Sequence, residues 1–108
     1  MAESYQNVEH AVTGSLATIY TVPASTSSVV VGFQIANVHA SNACWVTVKK
    51  FSSGGGTNKS LCNQISIPVN DSFNPIQGKL FLEAGEFIQV QGENTSSLEV
   101  VMSVLELT

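Results

Sequence analysis

A chain of 108 residues makes one domain, long enough to bury roughly two-thirds of the surface that its unfolded form exposes. Hydrophobic residues make up 44% of it and charged residues 11%, which excludes disorder for want of apolar surface and leaves an exterior with little charge to keep copies apart. Eight carboxylates stand against four lysines with no arginine, a balance that excludes a protein built to neutralise nucleic-acid phosphates.

The chain opens with "MAESYQNVEHAVTG", which has no basic cluster followed by an apolar stretch, so a soluble chain made in a host cytoplasm is expected. No apolar run approaches the roughly 18 residues of a membrane span, and no membrane partner is expected. The polarity of this opening predicts an arm over residues 1–14 that extends from a β-sandwich domain over residues 15–108, with Tyr5 and Val8 as its apolar anchors. The sequon-like triplets at Asn58, Asn70 and Asn94 read as turn residues, because glycosylation needs a secretory route.

Beyond the arm the signals are those of strands. Residues 16–23, "LATIYTVP", form the first. In residues 28–39 a β-branched run leads into Phe33, Ile35 and Asn37 alternating with Gly32, Gln34 and Ala36, the period of two of a half-buried strand. "ASNA" turns the chain. Residues 44–51 then place Cys44, Val46 and Val48 on one face and Trp45, Thr47, Lys49 and Phe51 on the other, and the short polar link predicts a hairpin between these two strands. Three consecutive glycines make residues 52–60, "SSGGGTNKS", an exposed and mobile loop.

"LCNQISIPVN" alternates again, with Ile65, Ile67 and Val69 opposed to Gln64, Ser66 and Pro68, and the proline marks an edge or a strand end. In "KLFLEAGEFIQVQG" Leu80 and Leu82 precede a Glu-Ala-Gly-Glu corner, beyond which Ile88 and Val90 resume the alternation. The last strand, residues 98–107, carries Leu98, Val100, Met102 and Val104 on one face, while Val101, Leu105 and Leu107 break the pattern and imply a bulge or burial on both sides. Seven or eight strands joined by Gly, Ser, Asn and Pro turns predict an all-β sandwich or jelly roll. The expected core comprises Val30, Phe33, Ile35, Val46, Val48, Ile67, Leu80, Leu82, Ile88, Val90 and Val100.

Residues able to do chemistry are few, and each has a structural reading. Cys44 and Cys62 read as buried reduced thiols rather than a disulfide. His10 and His39 lack a second ligand at metal spacing. Glu83 and Glu86 share a strand corner, where a solvated pair is expected rather than the acid and base of a glycosidase. The glycine-rich loop lacks the spacing and following helix of a phosphate-binding loop. No enzyme, cofactor or metal is expected. Trp45, Tyr5 and Tyr20 leave open a carbohydrate-stacking face.

"ATIYTVPASTSSVVVGFQIANVHASNACWVTVKK", residues 17–50, and "ISIPVNDSFNPIQGKLFLEAGEFIQVQG", residues 65–92, resemble small structural proteins of tailed bacteriophage particles. The likeness lies in a Tyr-Thr-Val-Pro-Ala turn before a β-branched strand, an Asn-rich hairpin and a Val-Thr-Val strand, and a Leu-x-Leu-x-Ala-Gly-[DE]-x-Ile-x-Val segment near the end. It implies a non-enzymatic virion component, foremost a decoration or cement protein that binds across major capsid protein subunits at the capsid surface. A neck or tail component and a glycan-binding host-attachment module are the alternatives. A homotrimer is expected, because a threefold clamp would touch three neighbours at once. The resemblance transfers no catalytic or ligand residue. Tyr5, Val8, Trp45 and Phe73 are the candidate protein-contact residues.

Overall fold

A computed structural model describes residues 3–76 and 78–108. Nine strands form two antiparallel sheets packed face to face: β1 (Glu3–Ala11), β2 (Ala17–Thr21), β3 (Ser27–Asn37), β4 (Cys44–Phe51), β5 (Asn58–Ile67), β6 (Ser72–Phe73), β7 (Leu80–Leu82), β8 (Phe87–Gly92) and β9 (Leu98–Leu107). Sheet A has the order β1-β9-β3-β6, with β7 also paired to β3, and sheet B has the order β2-β8-β4-β5. Because β6 and β7 share one edge of β3, they fill a single strand position between them.

The pairing is nested. The β4–β5 hairpin is innermost, β3 pairs with β6 and β7 outside it, β2 with β8 outside those, and β1 with β9 outermost. A hairpin wound up in this way, with its successive layers dealt to two sheets, is a jelly roll. The nesting overturns the hairpin expected between β3 and β4. Both edges of β3 are already occupied, by β9 on one side and by β6 and β7 on the other, so the 38–43 link must cross to sheet B. Asn37 holds that crossing. It is buried, its Nδ2 donates to the Asn42 and Ile67 carbonyls at 3.0 and 2.9 Å, and its Oδ1 accepts the His39 N–H at 2.8 Å.

The N-terminal segment also departs from the expectation. Residues 3–11 do not extend from the sandwich as an arm; they form β1, paired to β9 without a register break from Glu3↔Leu107 to Ala11↔Glu99. The segment's polarity is that of an edge strand with one wet face: Val8 packs against the core while Tyr5 and Glu9 point outward.

The core runs between the sheets and includes every residue expected there, with Leu80 only partly buried. β8 shows why the alternation could be read. Its odd positions are half-exposed, while Ile88, Val90 and Gly92 are buried, each fully buried aliphatic side chain contributing roughly 1.5–3 kcal/mol. Gly92 is required by close packing, since a Cβ there would lie 2.8 Å from Val12 Cγ1. β5 carries a bulge that its alternation does not show. Gln64 adopts a positive φ of 51° and donates its N–H to Thr47 Oγ1 at 2.9 Å, which sets Cys62, opposite Val48, on the same face as Ile65 and Ile67, opposite Val46 and Cys44; Ile65 is 38% exposed at the sheet edge, and Val69 lies past the strand end. β9 itself alternates regularly, with Val101, Leu105 and Leu107 on its outer face, and the bulge falls in its partner β3, where Val31 is the extra residue.

The glycine-rich segment is shorter and better tied than a mobile loop. β5 begins at Asn58, and a 3₁₀ turn at Ser53–Gly55 is closed by hydrogen bonds from Gly55 N–H to the Ser52 carbonyl and between Ser52 and Thr57. The Glu-Ala-Gly-Glu corner carries the chain from β7 in sheet A to β8 in sheet B. Gly85, with φ of 83°, takes the left-handed position of a type II turn.

Candidate protein interface

The titratable groups that sequence reasoning weighed for chemistry are held in structural roles. Glu86 Oε1 accepts the Glu83 N–H at 2.8 Å and Oε2 meets Lys50 Nζ at 3.1 Å. These contacts, the backbone bond foremost, hold the Glu86 carboxyl below its usual pKa, so it caps a turn as an anion. His39 Nδ1 accepts the N–H groups of Ser41 and Asn42, both at 3.1 Å, inside the crossing to sheet B. His10 Nε2 is buried without a partner near the end of the β1–β9 ladder, beside a shallow groove outlined by Glu9, Ala11, Glu99 and Val101. Among the described residues no three His, Cys, Asp or Glu side chains are placed to share a metal ion.

Cys44 and Cys62 are both buried and unbridged. Cys62 lies opposite Val48, four residues along β4 from Cys44, a separation of about 13 Å along the strand that a disulfide cannot span. Burial pushes the Cys62 thiol up, away from the reactive thiolate. Tyr20 crosses between the sheets: its hydroxyl donates to Glu106 Oε2 at 2.5 Å and shares a 2.8 Å hydrogen bond with Ser28 Oγ. Burial first and the Glu106 bond second push the Tyr20 pKa up to about 12.

The four expected contact residues do not converge. Tyr5 projects from the outer face of sheet A, 75% exposed. Val8 lies on the opposite, core-facing side of the same strand, and Phe73, opposite Ile35 on β6, packs partly against the core at the far edge of the sheet. Trp45 sits on sheet B, half-buried, its backbone N–H donating to Glu93 Oε1 at 3.1 Å. Tyr5, Tyr20 and Trp45, which a carbohydrate platform would need together, share no face.

What the fold does assemble is a row that no local pattern announces. Tyr5 lies opposite Leu105, Leu105 opposite Val29, and Val29 opposite Phe81. The four residues come from β1, β9, β3 and β7 and form one transverse line over about 14 Å on the outer face of sheet A. Phe81 is 56% exposed, and the bulged Val31, 39% exposed, stands beside the line. The next row, Asn7, Ser103 and Gly32, adds no charge. Cross-strand contact alone does not account for so large an exposed tyrosine and phenylalanine on one flat face, and such apolar patches mark binding surfaces. The one trace in the sequence was the presence of apolar residues at both parities of β9, at Leu105 and Leu107.

No family model and no curated protein matches this chain. Solved structures do match it. One is a chain from the disulfide-linked pili formed by Bacillus endospore appendages, with a TM-score of 0.58 and 14% identity over 99% of this chain and 87% of that one. A second is the Drosophila NLP core, described for its pentamer formation and histone binding, with a TM-score of 0.54 and 9% identity over 96% and 98% of the two chains. A third belongs to infectious bursal disease virus, Gx strain, with a TM-score of 0.50 and 8% identity; this chain is 98% covered and spans a third of that one. At these identities the likeness is one of fold, the jelly-roll sandwich that the strand pairing defines.

Proposed function

We propose that this chain is a non-enzymatic structural protein of a bacteriophage virion, a capsid decoration protein that stabilises the shell by binding across major capsid protein subunits. The observation that carries the reading is the apolar Tyr5–Leu105–Val29–Phe81 row on the outer face of sheet A. A rigid sandwich offering a flat apolar face, with Glu86, His39 and Tyr20 held in turns and sheet contacts, is suited to burying area against another protein. The resemblance of residues 17–50 and 65–92 to tailed-phage structural proteins supplies the particle, and the occurrence of the same fold in pili, a pentamer and a virus is in keeping with a module for assemblies. A homotrimer seated on a local threefold axis of the shell would present three such faces at once and multiply contacts that are individually modest. Tyr5 belongs to the docking face; Val8, Trp45 and Phe73 are left to contacts at its margins.

The test is the purified particle. The protein is expected to co-purify with virions at a fixed ratio to the major capsid protein, and mild denaturant is expected to strip it before the shell opens. Phe81→Glu puts a charge at one end of the apolar row, at a site that is more than half exposed, so the isolated domain keeps its β spectrum while particle binding is lost. Wild-type levels of the Phe81→Glu chain on particles would refute the docking face.

A further inference from the structure

The strands of the two sheets divide the charge between them. Those of sheet A contain Glu3, Glu9, Glu99 and Glu106 and no lysine, whereas those of sheet B contain Lys49, Lys50 and Lys59 and no carboxylate. Two of these groups are occupied inside the molecule, Glu106 by Tyr20 and Lys50 by Glu86. Glu3 and Glu9 remain on β1, one outer edge of sheet A, while Lys59 on β5, an outer edge of sheet B, is joined by Lys49 on the adjoining strand opposite Ser60.

These edges lie on opposite flanks of the sandwich. β1 runs beside β2, the other edge of sheet B, whereas β5 lies at the flank of the β6–β7 edge of sheet A, its end tied to the end of β3 where Asn37 Nδ2 reaches the Ile67 carbonyl. The strands at one flank therefore carry two free carboxylates, and those of sheet B at the other carry two free lysines, beside Asp71, Lys79 and Glu83 at the ends of β6 and β7. Each flank ends in a strand of nine or ten residues whose outward backbone groups lack a strand partner among the described residues.

We infer that copies of this chain associate head to tail, the β1 flank of one against the β4–β5 flank of the next. The inference rests on the reading of the chain as a self-associating virion component, and it specifies how the copies meet. A two-fold contact would set β1 against β1 or β5 against β5. Centred on Gln6, an antiparallel β1–β1 contact would put Glu3 opposite Glu9, a like-charge arrangement that destabilises strand pairs. The head-to-tail contact pairs Glu with Lys instead, and such heterologous contacts close into a ring when the rotation allows. This leaves the apolar outer face of sheet A free on every copy, so the flanks build the oligomer and the face meets the shell.

The experiment is charge reversal read by native mass spectrometry and light scattering on the isolated chain. The wild type is expected to form a discrete ring at about 50 mM salt and to dissociate as salt rises toward about 0.5 M, where screening acts within about 4 Å. Glu3→Lys with Glu9→Lys makes both flanks basic, and Lys49→Glu with Lys59→Glu makes both acidic; each double variant is expected to be monomeric with an unchanged β spectrum. Combining all four substitutions in one chain restores complementary contacts and should restore the ring, while mixing the two double variants should restore association in alternating, even-numbered assemblies. A ring that survives either double variant, a mixture that stays monomeric, or a wild type that is monomeric at tens of micromolar would overturn the inference. Carbodiimide cross-linking of the wild-type chain supplies a measurement free of variants: coupling of Glu3 or Glu9 to Lys49 or Lys59 between differently isotope-labelled copies is expected, and coupling confined within copies would refute the contact. Particle binding is read on virions, so the two proposals can fail separately.

Discussion

β1 and β5 are both long edge strands, yet one is plain and the other is interrupted. β1 runs against β9 through nine consecutive pairs with no break, and its only inward apolar anchor of any size is the half-buried Val8. β5 breaks register with β4 twice, turns at Gln64 through a positive φ, and stops at Ile67 before Pro68. Bulges and a terminal proline are the usual means by which a sheet edge is shielded from further pairing. β5 therefore meets a neighbour through its side chains, while β1 keeps an open backbone edge. The contrast teaches that the two ends of one sandwich can be prepared for different partners by a single residue of parity.

The comparison can be broken most forcefully at Ile67, the fully buried end of β5. Ile67→Ala should cost about 2–5 kcal/mol in chemical denaturation, because the site is closed over by core side chains. Next in size is Thr47→Val, which keeps shape but removes the acceptor of the Gln64 N–H; a loss of about 1–3 kcal/mol is expected if the bulge depends on that bond. On β1, Val8→Ala should cost only about 1 kcal/mol or less, since the side chain is half-buried at an edge. A loss at Val8 as large as that at Ile67 would remove the distinction between the edges.

The smallest effect is confined to alkaline solution and concerns β2, which Tyr20 ties to sheet A. Folded Tyr20 keeps its proton up to about 12, while the unfolded chain releases it near the ordinary value of 10.0. Its contribution is thus fully present below pH 10 and is lost as pH rises between 10 and 12, where the folded state binds more protons than the unfolded one. The stability advantage of the wild type over Tyr20→Phe should shrink across that window, and an advantage that grew with pH would contradict the buried hydroxyl.

The fold class and nearly all of the core could be read from the sequence because alternation is local: Ile88 and Val90 declare their face without knowledge of any partner strand. Pairing could not be read in the same way. Whether β3 turns back on itself or crosses to the other sheet depends on β9, 60 residues downstream, taking its free edge. The bulge that brings Cys62 to the face of Ile65 and Ile67 could not be read, because a single backbone dihedral reverses parity and glutamine is not a residue that advertises it. The Tyr5–Leu105–Val29–Phe81 row needs three registers known together, so it lies beyond any reading of one strand at a time. Tyr5 was singled out for its apolar character, but its neighbours were not.

The nested pairing also fixes an order of assembly. The innermost hairpin closes over a few residues, whereas Glu3 meets Leu107 only when nearly the whole chain is available. Contacts between residues close in sequence form soonest, because the chain entropy lost in closing their loop is smaller. On a ribosome the consequence is sharper still. β9 is the central plank between β1 and β3 and is synthesised after both, so β1 must wait, unpaired, for β9 before sheet A can exist. A premature stop before Leu98 would therefore remove the middle of a sheet and leave two stranded neighbours, an outcome far worse than trimming an edge.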